Sequence, residues 1–361
     1  MSITPVAKPF LPKIDKYQEY IQKIWNSQHI TNHGPLVKKL ESELQSYLHT
    51  PNLFFVSNGT IALQIAIKAL NLQGEVITTP FSYVATTSSI VWEGCKPVFV
   101  DIDANSLNID PTKIEAAITN KTTAIIATHV YGNPCDIESI NKIAKKHDLK
   151  VIYDAAHCFG VEYNNKSISS YGDISIFSFH ATKLFHTVEG GAIVVNTDDY
   201  KNTVSYMRNF GHDGQEDFFG LGINGKNSEF HAAMGLCNLP EIHTLIAERK
   251  KLSELYDKSL GDSTKIQRPI IRKNTKYNYS YYPVLFEDEQ VVLKVCKLLN
   301  SHNIFPRRYF YPILSKLNYV DDVNMPLAES VSKRILCLPL YNDLAYENVE
   351  LICRLINDEL K

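Results

Sequence analysis

The stretch FSFHATKLFHTVEGGAIVV, residues 177–195, places one lysine, Lys183, between two segments with the composition of β-strands. A lysine amine that loses its proton can form a covalent bond with a carbonyl compound. Most lysines simply lie on the surface, so the role of Lys183 depends on which other side chains the fold brings to it.

A second candidate feature is the turn Ser57-Asn58-Gly59-Thr60, which follows the apolar run LFFV and precedes a helical pattern. Glycine allows close approach of the backbone to a ligand, and the first amides of a helix favour an anion. The turn could therefore hold a phosphate group. The same residue types are also ordinary helix N-caps, and that alternative stays open.

Two further strand ends carry distinctive side chains. Asp154 closes the apolar run VIY, where a carboxylate is costly unless it is paired, for example with a protonated ring nitrogen. Phe81 follows VITT-Pro80 and could stack on a flat ring. The alternatives are an aspartate that caps the next turn and a phenylalanine that belongs to the core.

These features become informative when they are combined. A phosphate site, an aromatic ring, a buried acid and a lysine are all expected at one edge of one sheet. The combination suits pyridoxal 5′-phosphate, whose aldehyde bonds to the lysine and whose protonated pyridine nitrogen pairs with the aspartate.

The elements that must position these residues are short apolar runs that alternate with helical patterns. Such runs are typical of parallel strands buried on both faces, and they predict an α/β doubly wound sheet with ligands at the carboxyl ends of the strands. The runs are 53–56, 76–79, 97–103, 125–132, 151–157, 174–180 and 192–195. Beyond about residue 245 the pattern changes, and we expect a large domain over 1–245 and a smaller α+β domain over 246–361.

Composition excludes several classes of protein. The 361 residues are 44% hydrophobic and 21% charged with a net charge of −2, so no nucleic-acid partner is expected. The seven cysteines have no CxxC spacing, and neither a disulfide framework nor a metal site is expected, which fits a cytoplasmic protein. No signal peptide and no membrane-spanning run is evident.

The order of motifs resembles the DegT/DnrJ/EryC1/StrS family of sugar-nucleotide aminotransferases. The resemblance extends from TNHGP (31–35) to LPLY (338–341), and it implies the aminotransferase fold type I and a homodimer whose active sites lie at the subunit interface. The motifs that carry it are SNGTIAL, TPFSYVATT, PVFVDID, HVYGNPCD, YDAAHCFG, FSFHATKLFHTVEGGAIV and GINGKNSEFHAAMGL.

The resemblance assigns roles residue by residue. Lys183 matches the lysine that bonds to the cofactor, Asp154 the partner of the pyridine nitrogen and Phe81 the aromatic that stacks on the ring. Asn58, Gly59, Thr60 and Ser178 match the phosphate-binding residues, and His157 stands where glutamine often contacts the phenolic oxygen. Asn224 matches an asparagine that the partner subunit supplies. Thr31, His180 and Tyr309 fall where the substrate is expected.

The implied reaction transfers an amino group from L-glutamate to a keto sugar nucleotide. SFHATK followed by EGGA resembles the branch that acts at C-4, with a dTDP-4-keto-6-deoxyhexose as substrate and a dTDP-4-amino-4,6-dideoxyhexose, used for O-antigen or a related surface glycan, as product. Transamination at C-3 is the main alternative, and a non-catalytic regulator on the same fold is the second. A related branch catalyses dehydration with histidine in place of the lysine, and Lys183 argues against it.

Overall fold

The computed structural model describes residues 3–261 and 263–361. Its strands are β1 (Thr4–Pro5), β2 (Leu53–Val56), β3 (Glu75–Thr78), β4 (Lys96–Phe99), β5 (Thr122–Thr128), β6 (Lys150–Asp154), β7 (Glu162–Tyr163), β8 (Lys166–Ser167), β9 (Ile174–Ser178), β10 (Gly191–Val195), β11 (His212–Asp213), β12 (Asp217–Phe218), β13 (Thr275–Lys276), β14 (Tyr282–Leu285), β15 (Ile304–Phe305) and β16 (Ile335–Leu338).

The α-helices lie between and after these strands. They are α1 (Ile14–Ser27), α2 (Pro35–Leu48), α3 (Gly59–Ala69), α4 (Val84–Trp92), α5 (Pro111–Ile114), α6 (Ile137–Lys146), α7 (Lys201–Met207), α8 (Glu229–Asn238), α9 (Ile242–Leu260), α10 (Glu289–Ser301), α11 (Pro326–Arg334) and α12 (Tyr346–Glu359). Within the described ranges, no helix is both long and apolar enough to cross a membrane.

The central element is a seven-stranded sheet with the order β2-β10-β9-β6-β5-β3-β4. Neighbouring strands from β9 to β4 pair in parallel, whereas β10 runs antiparallel to both β9 and β2. Each strand matches one of the seven predicted apolar runs, so the predicted mostly parallel seven-stranded sheet is confirmed.

Helices cover both faces of this sheet. Apolar residues of α2, α6 and α8 form one buried cluster with the strands, and residues of α3, α4 and α7 form a second cluster on the opposite face. Because both faces are buried, the strands are continuously apolar rather than alternating. The arrangement is the doubly wound architecture expected from the sequence.

The C-terminal part of the chain has an apolar cluster of its own. Strands β14 and β16 pair antiparallel, and α9, α10 and α12 pack with them. Helix α9 continues through the predicted limit between residues 245 and 246: Ile242 belongs to the cluster of the large sheet, and Tyr256 belongs to the C-terminal cluster. The limits 1–245 and 246–361 therefore stay a prediction.

Candidate active site

A cavity of about 500 Å³ lies at the carboxyl ends of the parallel strands. Strands β2, β6 and β9 each deliver polar residues to it, and the C-terminal part of the chain closes it from the other side. It brings together these residues predicted from the sequence: Asn58, Gly59, Thr60, Asp154, His157, Ser178, His180, Lys183 and Tyr309.

Lys183 lies in the cavity wall just after β9, in a turn closed by its N–H donating to the carbonyl oxygen of His180 at 2.8 Å. Its Nζ donates to the phenol oxygen of Tyr281 at 3.4 Å. Burial lowers the pKa of Lys183, and the negative charge of Asp154 offsets only part of this shift. A lowered pKa favours the neutral amine, which is the nucleophilic form.

Asp154 ends β6 and is buried, with both carboxylate oxygens hydrogen-bonded. Thr86 Oγ1 donates to Oδ2 at 2.7 Å, and the N–H of Ala156 donates to Oδ1 at 3.0 Å. Burial raises the pKa of Asp154, although the bonds from Thr86 and Ala156 and the charge of Lys183 lower it. The threonine therefore fixes the orientation of an acid that faces the cavity.

His157 has its tautomer set by the backbone. Its Nδ1 accepts the N–H of Tyr131 at 3.1 Å, so in the neutral ring the proton resides on Nε2. Burial, and to a lesser extent the charge of Lys183, lowers the pKa of His157 well below its usual range. A neutral imidazole with a free Nε2–H lines the cavity and can donate to an oxygen there.

The turn after β2 caps α3 and also lines the cavity. Asn58 caps α3, since its side chain accepts the N–H of Ile61 at 2.8 Å, while Gly59 and Thr60 line the cavity. A Cβ on Gly59 would lie 3.0 Å from the Cβ of Ser178, and a Cβ on Gly191 would lie 2.6 Å from the Asn58 carbonyl carbon. Glycine at these positions lets three segments meet at the start of α3.

Phe81, which is predicted to stack on the cofactor ring, lies in the core beside the cavity. It is 0% exposed, lies outside the cavity lining and packs edge-on against Phe310 at 5.7 Å. Tyr83, two residues later, lines the cavity and is 55% exposed. The turn before α4 directs the first aromatic into the core and the second toward the cavity, so the stacking role of Phe81 stays a prediction that its burial does not support.

Thr31 and Asn224 are not brought to the cavity of their own chain. Both are exposed, and neither belongs to the cavity lining. Asn224 forms an isolated bridge with Asn209, in a segment whose Gly225 carbonyl accepts the N–H of Ser57 at 2.8 Å. The substrate contact of Thr31 and the cross-subunit role of Asn224 stay predictions.

Comparison with known proteins identifies the family of this chain. The model of the DegT/DnrJ/EryC1/StrS aminotransferase family matches residues 13–357. The chain belongs to this family.

Its relatives include two proteins named dTDP-4-amino-4,6-dideoxy-D-glucose transaminase. The one from Shigella dysenteriae is 43% identical over 98% of both chains, and the one from Escherichia coli is 40% identical over 98% of this chain and 97% of its own. A solved structure of DesI in the presence of its TDP-sugar product has a TM-score of 0.94 and 29% identity, and it covers 100% of this chain and 93% of the other.

In this member of the aminotransferase family, several residues of the site were not predicted from the sequence. Tyr281 and Arg307 line the cavity from the C-terminal part of the chain, and Glu189 lines it from the EGGA segment. Thr86 does not line the cavity and acts through its hydrogen bond to Asp154. The threonine could have been found from TPFSYVATT, since it lies one turn after the cavity aromatic. Tyr281 and Arg307 carry no local signal, because only tertiary packing brings them to the cavity.

Proposed function

We propose that the protein transfers the amino group of L-glutamate to C-4 of dTDP-4-keto-6-deoxyglucose with pyridoxal 5′-phosphate as cofactor. The products would be 2-oxoglutarate and dTDP-4-amino-4,6-dideoxyglucose. The observation that carries the proposal is the placement of Lys183 and the buried, oriented Asp154 in one cavity with the turn at the start of α3.

The residues of the cavity fit this cofactor. The Asn58–Thr60 turn and Ser178 would hold its phosphate, Asp154 its pyridine nitrogen and His157 Nε2–H its phenolic oxygen. Tyr83 would take the ring contact predicted for Phe81. When bound, the cofactor supplies an electron sink that allows a proton to leave the carbon bearing the amine.

The chain's own groups would manage the protons of that chemistry. Lys183, with a lowered pKa, would accept the proton from the donor carbon and deliver it as general acid/base. Asp154, held by Thr86, would keep its charge directed at the ring, and the neutral His157 would donate without adding a positive charge beside Lys183.

The choice of C-4 and of a dTDP-linked sugar is supported by the relatives. The two transaminases that are 40–43% identical are named for a 4-amino-4,6-dideoxy product on dTDP. The SFHATK and EGGA segments favour the same carbon, and His180 and Glu189 from these segments face the cavity with 3.6 Å between Nε2 and Oε1.

We further propose a homodimer in which Asn224 reaches the cofactor phosphate of the partner subunit. Two features support this: Asn224 is exposed, and its segment carries exposed apolar side chains that include Phe218, Phe219 and Leu221. Apolar groups clustered on one exposed segment favour a protein interface. A reducing cytoplasm is consistent with the free thiols of the cysteines.

The test begins with the absorbance spectrum of the purified protein supplied with pyridoxal phosphate. A band near the visible edge should move to shorter wavelength when L-glutamate is added. The sugar nucleotide product should then carry the amine at C-4 by NMR. Asp154→Asn should lower turnover strongly and still bind the cofactor.

Other outcomes would change the proposal in defined ways. An amine at C-3 would replace the C-4 assignment, whereas a cofactor band that no amino acid shifts would favour the regulator. An active Lys183→Ala enzyme would contradict the role of this lysine.

A further inference from the structure

Arg307 is an arginine in the cavity wall whose charge the proposed chemistry has not used. The cavity's other residues that carry a charged lysine, aspartate or glutamate side chain have a partner there: Lys183 acts on Asp154, and Glu189 lies 3.6 Å from His180. Among the residues that the structure describes, no carboxylate lies within the 4.0 Å salt-bridge distance of the Arg307 guanidinium.

The neighbouring Arg308 provides a direct contrast. Its guanidinium pairs with Glu289 at 2.6 Å and lies over the ring of Tyr311 at 3.6 Å, and it does not line the cavity. The two adjacent arginines therefore differ: Arg308 is neutralised by a carboxylate of its own chain, whereas Arg307 lines the cavity and has no such partner among the described residues.

The position of Arg307 is fixed by its surroundings. Its backbone N–H and carbonyl pair with Cys337 of β16 at 3.0 and 2.8 Å. Its guanidinium lies 5.0 Å from the ring of Tyr309, which packs edge-on against Tyr281 at 5.8 Å. A guanidinium held on an aromatic ring keeps its planar edge available for a carboxylate.

We propose that Arg307 binds the side-chain carboxylate of the amino donor and thereby selects an acidic amino acid. The inference rests on the proposed transamination from L-glutamate and deepens it. A guanidinium forms charge-assisted, bidentate hydrogen bonds with a carboxylate, which is the one charged group that distinguishes L-glutamate from L-glutamine.

The geometry favours the side-chain carboxylate over the α-carboxylate. The α-carboxylate must lie next to the reacting amine, and therefore next to Lys183. Arg307 is connected to Lys183 through a series of contacts: its guanidinium lies on the ring of Tyr309, Tyr309 packs against Tyr281, and Tyr281 accepts the hydrogen bond of Lys183. The arginine nevertheless remains within electrostatic reach, because its charge lowers the pKa of Tyr281, a smaller effect than the burial that raises it.

The experiment compares the two half-reactions of Arg307→Gln, Arg307→Lys and the matched control Arg308→Gln. Conversion of the pyridoxal phosphate enzyme by L-glutamate or L-glutamine is followed by cofactor absorbance. The second half-reaction, of the pyridoxamine phosphate enzyme with the keto sugar nucleotide, is measured separately. Binding of glutarate, a dicarboxylate without an amine, is measured by calorimetry.

Arg307→Gln should weaken glutarate binding and reduce the efficiency with L-glutamate by about tenfold to hundredfold. Its efficiency with L-glutamine and with the sugar nucleotide should stay within about twofold of the wild type. Arg307→Lys should recover part of the loss, and Arg308→Gln should behave as the wild type in every assay.

Three results would overturn the assignment. Equal losses with L-glutamate and L-glutamine would mean that Arg307 binds the α-carboxylate or that it only stabilises the fold. A loss confined to the sugar nucleotide would place it on the diphosphate, and unchanged kinetics would leave it no role. A wild-type enzyme that reacts with no amino acid would instead contradict the proposed transamination itself.

Discussion

The phenol oxygen of Tyr281 lies 3.4 Å from the Nζ of Lys183 and accepts a hydrogen bond from it. The two residues are far apart in sequence, and the tyrosine reaches the lysine from the segment just before β14. Tyr281 also packs against the ring of His157 at 4.7 Å between ring centroids. One tyrosine therefore contacts both the lysine and the histidine that face the cavity.

Tyr281→Phe should reduce turnover by roughly tenfold, because the amine of Lys183 would lose a hydrogen bond that fixes its direction. The ring remains in phenylalanine, so its packing against His157 should persist. The measurement is the rate of the L-glutamate half-reaction together with cofactor affinity, and only the rate should change.

The adjacent Tyr282 provides the control for this variant. Its side chain lies in the C-terminal apolar cluster, and its hydroxyl donates to Asp257 Oδ1 at 2.7 Å. Tyr282→Phe should lower the free energy of unfolding by about 1 kcal/mol with an unchanged rate. Equal rates for the two variants and the wild type would deny Tyr281 a role in positioning Lys183.

The lowered pKa of Lys183 predicts how covalent cofactor uptake depends on pH. Below its pKa the amine is protonated and unreactive, so uptake by the cofactor-free enzyme should rise with pH to a midpoint below the ordinary value of 10.5. Borohydride trapping followed by mass measurement of the labelled peptide reports the uptake. Lys183→Ala should remain unlabelled and still bind pyridoxamine phosphate.

Asp154→Asn should move that midpoint to lower pH, because the carboxylate raises the pKa of Lys183. The lowered pKa of Lys183 also determines whether the free energy of unfolding rises or falls with pH. Between the lowered pKa and 10.5 the unfolded chain binds more protons, so the lysine's contribution to the free energy of unfolding rises with pH. A midpoint that stays unchanged or moves upward in Asp154→Asn would contradict the coupling.

Gly191 begins β10 where this strand crosses the turn at the start of α3. A Cβ at this position would lie 2.6 to 2.8 Å from backbone atoms of Asn58 and Gly59, and backbone cannot rotate away as a side chain can. Gly191→Ala should therefore lower the free energy of unfolding by about 1–3 kcal/mol and weaken cofactor binding.

Gly220→Ala is the control for an added methyl group within one subunit, because in the described part of the chain no atom outside its immediate neighbours lies within 4 Å of the position of its Cβ. Thermal unfolding and titration with pyridoxal phosphate measure both effects. If Gly191→Ala matched the control in cofactor affinity, the Asn58–Thr60 turn would not be the phosphate site.

The sequence predicts the central sheet well because its strands are continuous apolar runs between helical patterns. The sequence also predicts that Lys183 and Asp154 belong to the site, because they follow or end apolar strands, and the ends of parallel strands meet at one edge of the sheet. Helices α1, α2 and α8 lie outside the stretch in which apolar strand runs alternate with helical patterns, so that alternation does not predict them.

Side-chain direction at turns limits the prediction further. Phe81 and Tyr83 are both aromatic and both follow β3, and only the backbone path decides that the first is buried and the second lines the cavity. Tyr281 and Arg307 depend on how the C-terminal cluster packs against the sheet. Such contacts join residues far apart in the chain and leave no local pattern.

The proposed sharing of active sites predicts that two inactive variants can restore each other. Lys183→Ala removes the reactive amine from the site of its own subunit. Asn224→Ala removes the amide expected at the phosphate in the site of the partner subunit. In a mixed dimer one site would carry both defects and the other neither. Subunit exchange should therefore recover up to about one quarter of the wild-type activity, since half of the dimers are mixed and each has one intact site.

The exchange is done at low protein concentration with separately purified variants, and the activity of the mixture is compared with that of each variant alone. Mixing Lys183→Ala with Asp154→Asn, two lesions expected in the same site, gives the informative contrast: if Asn224 acts within its own subunit, both mixtures should behave alike.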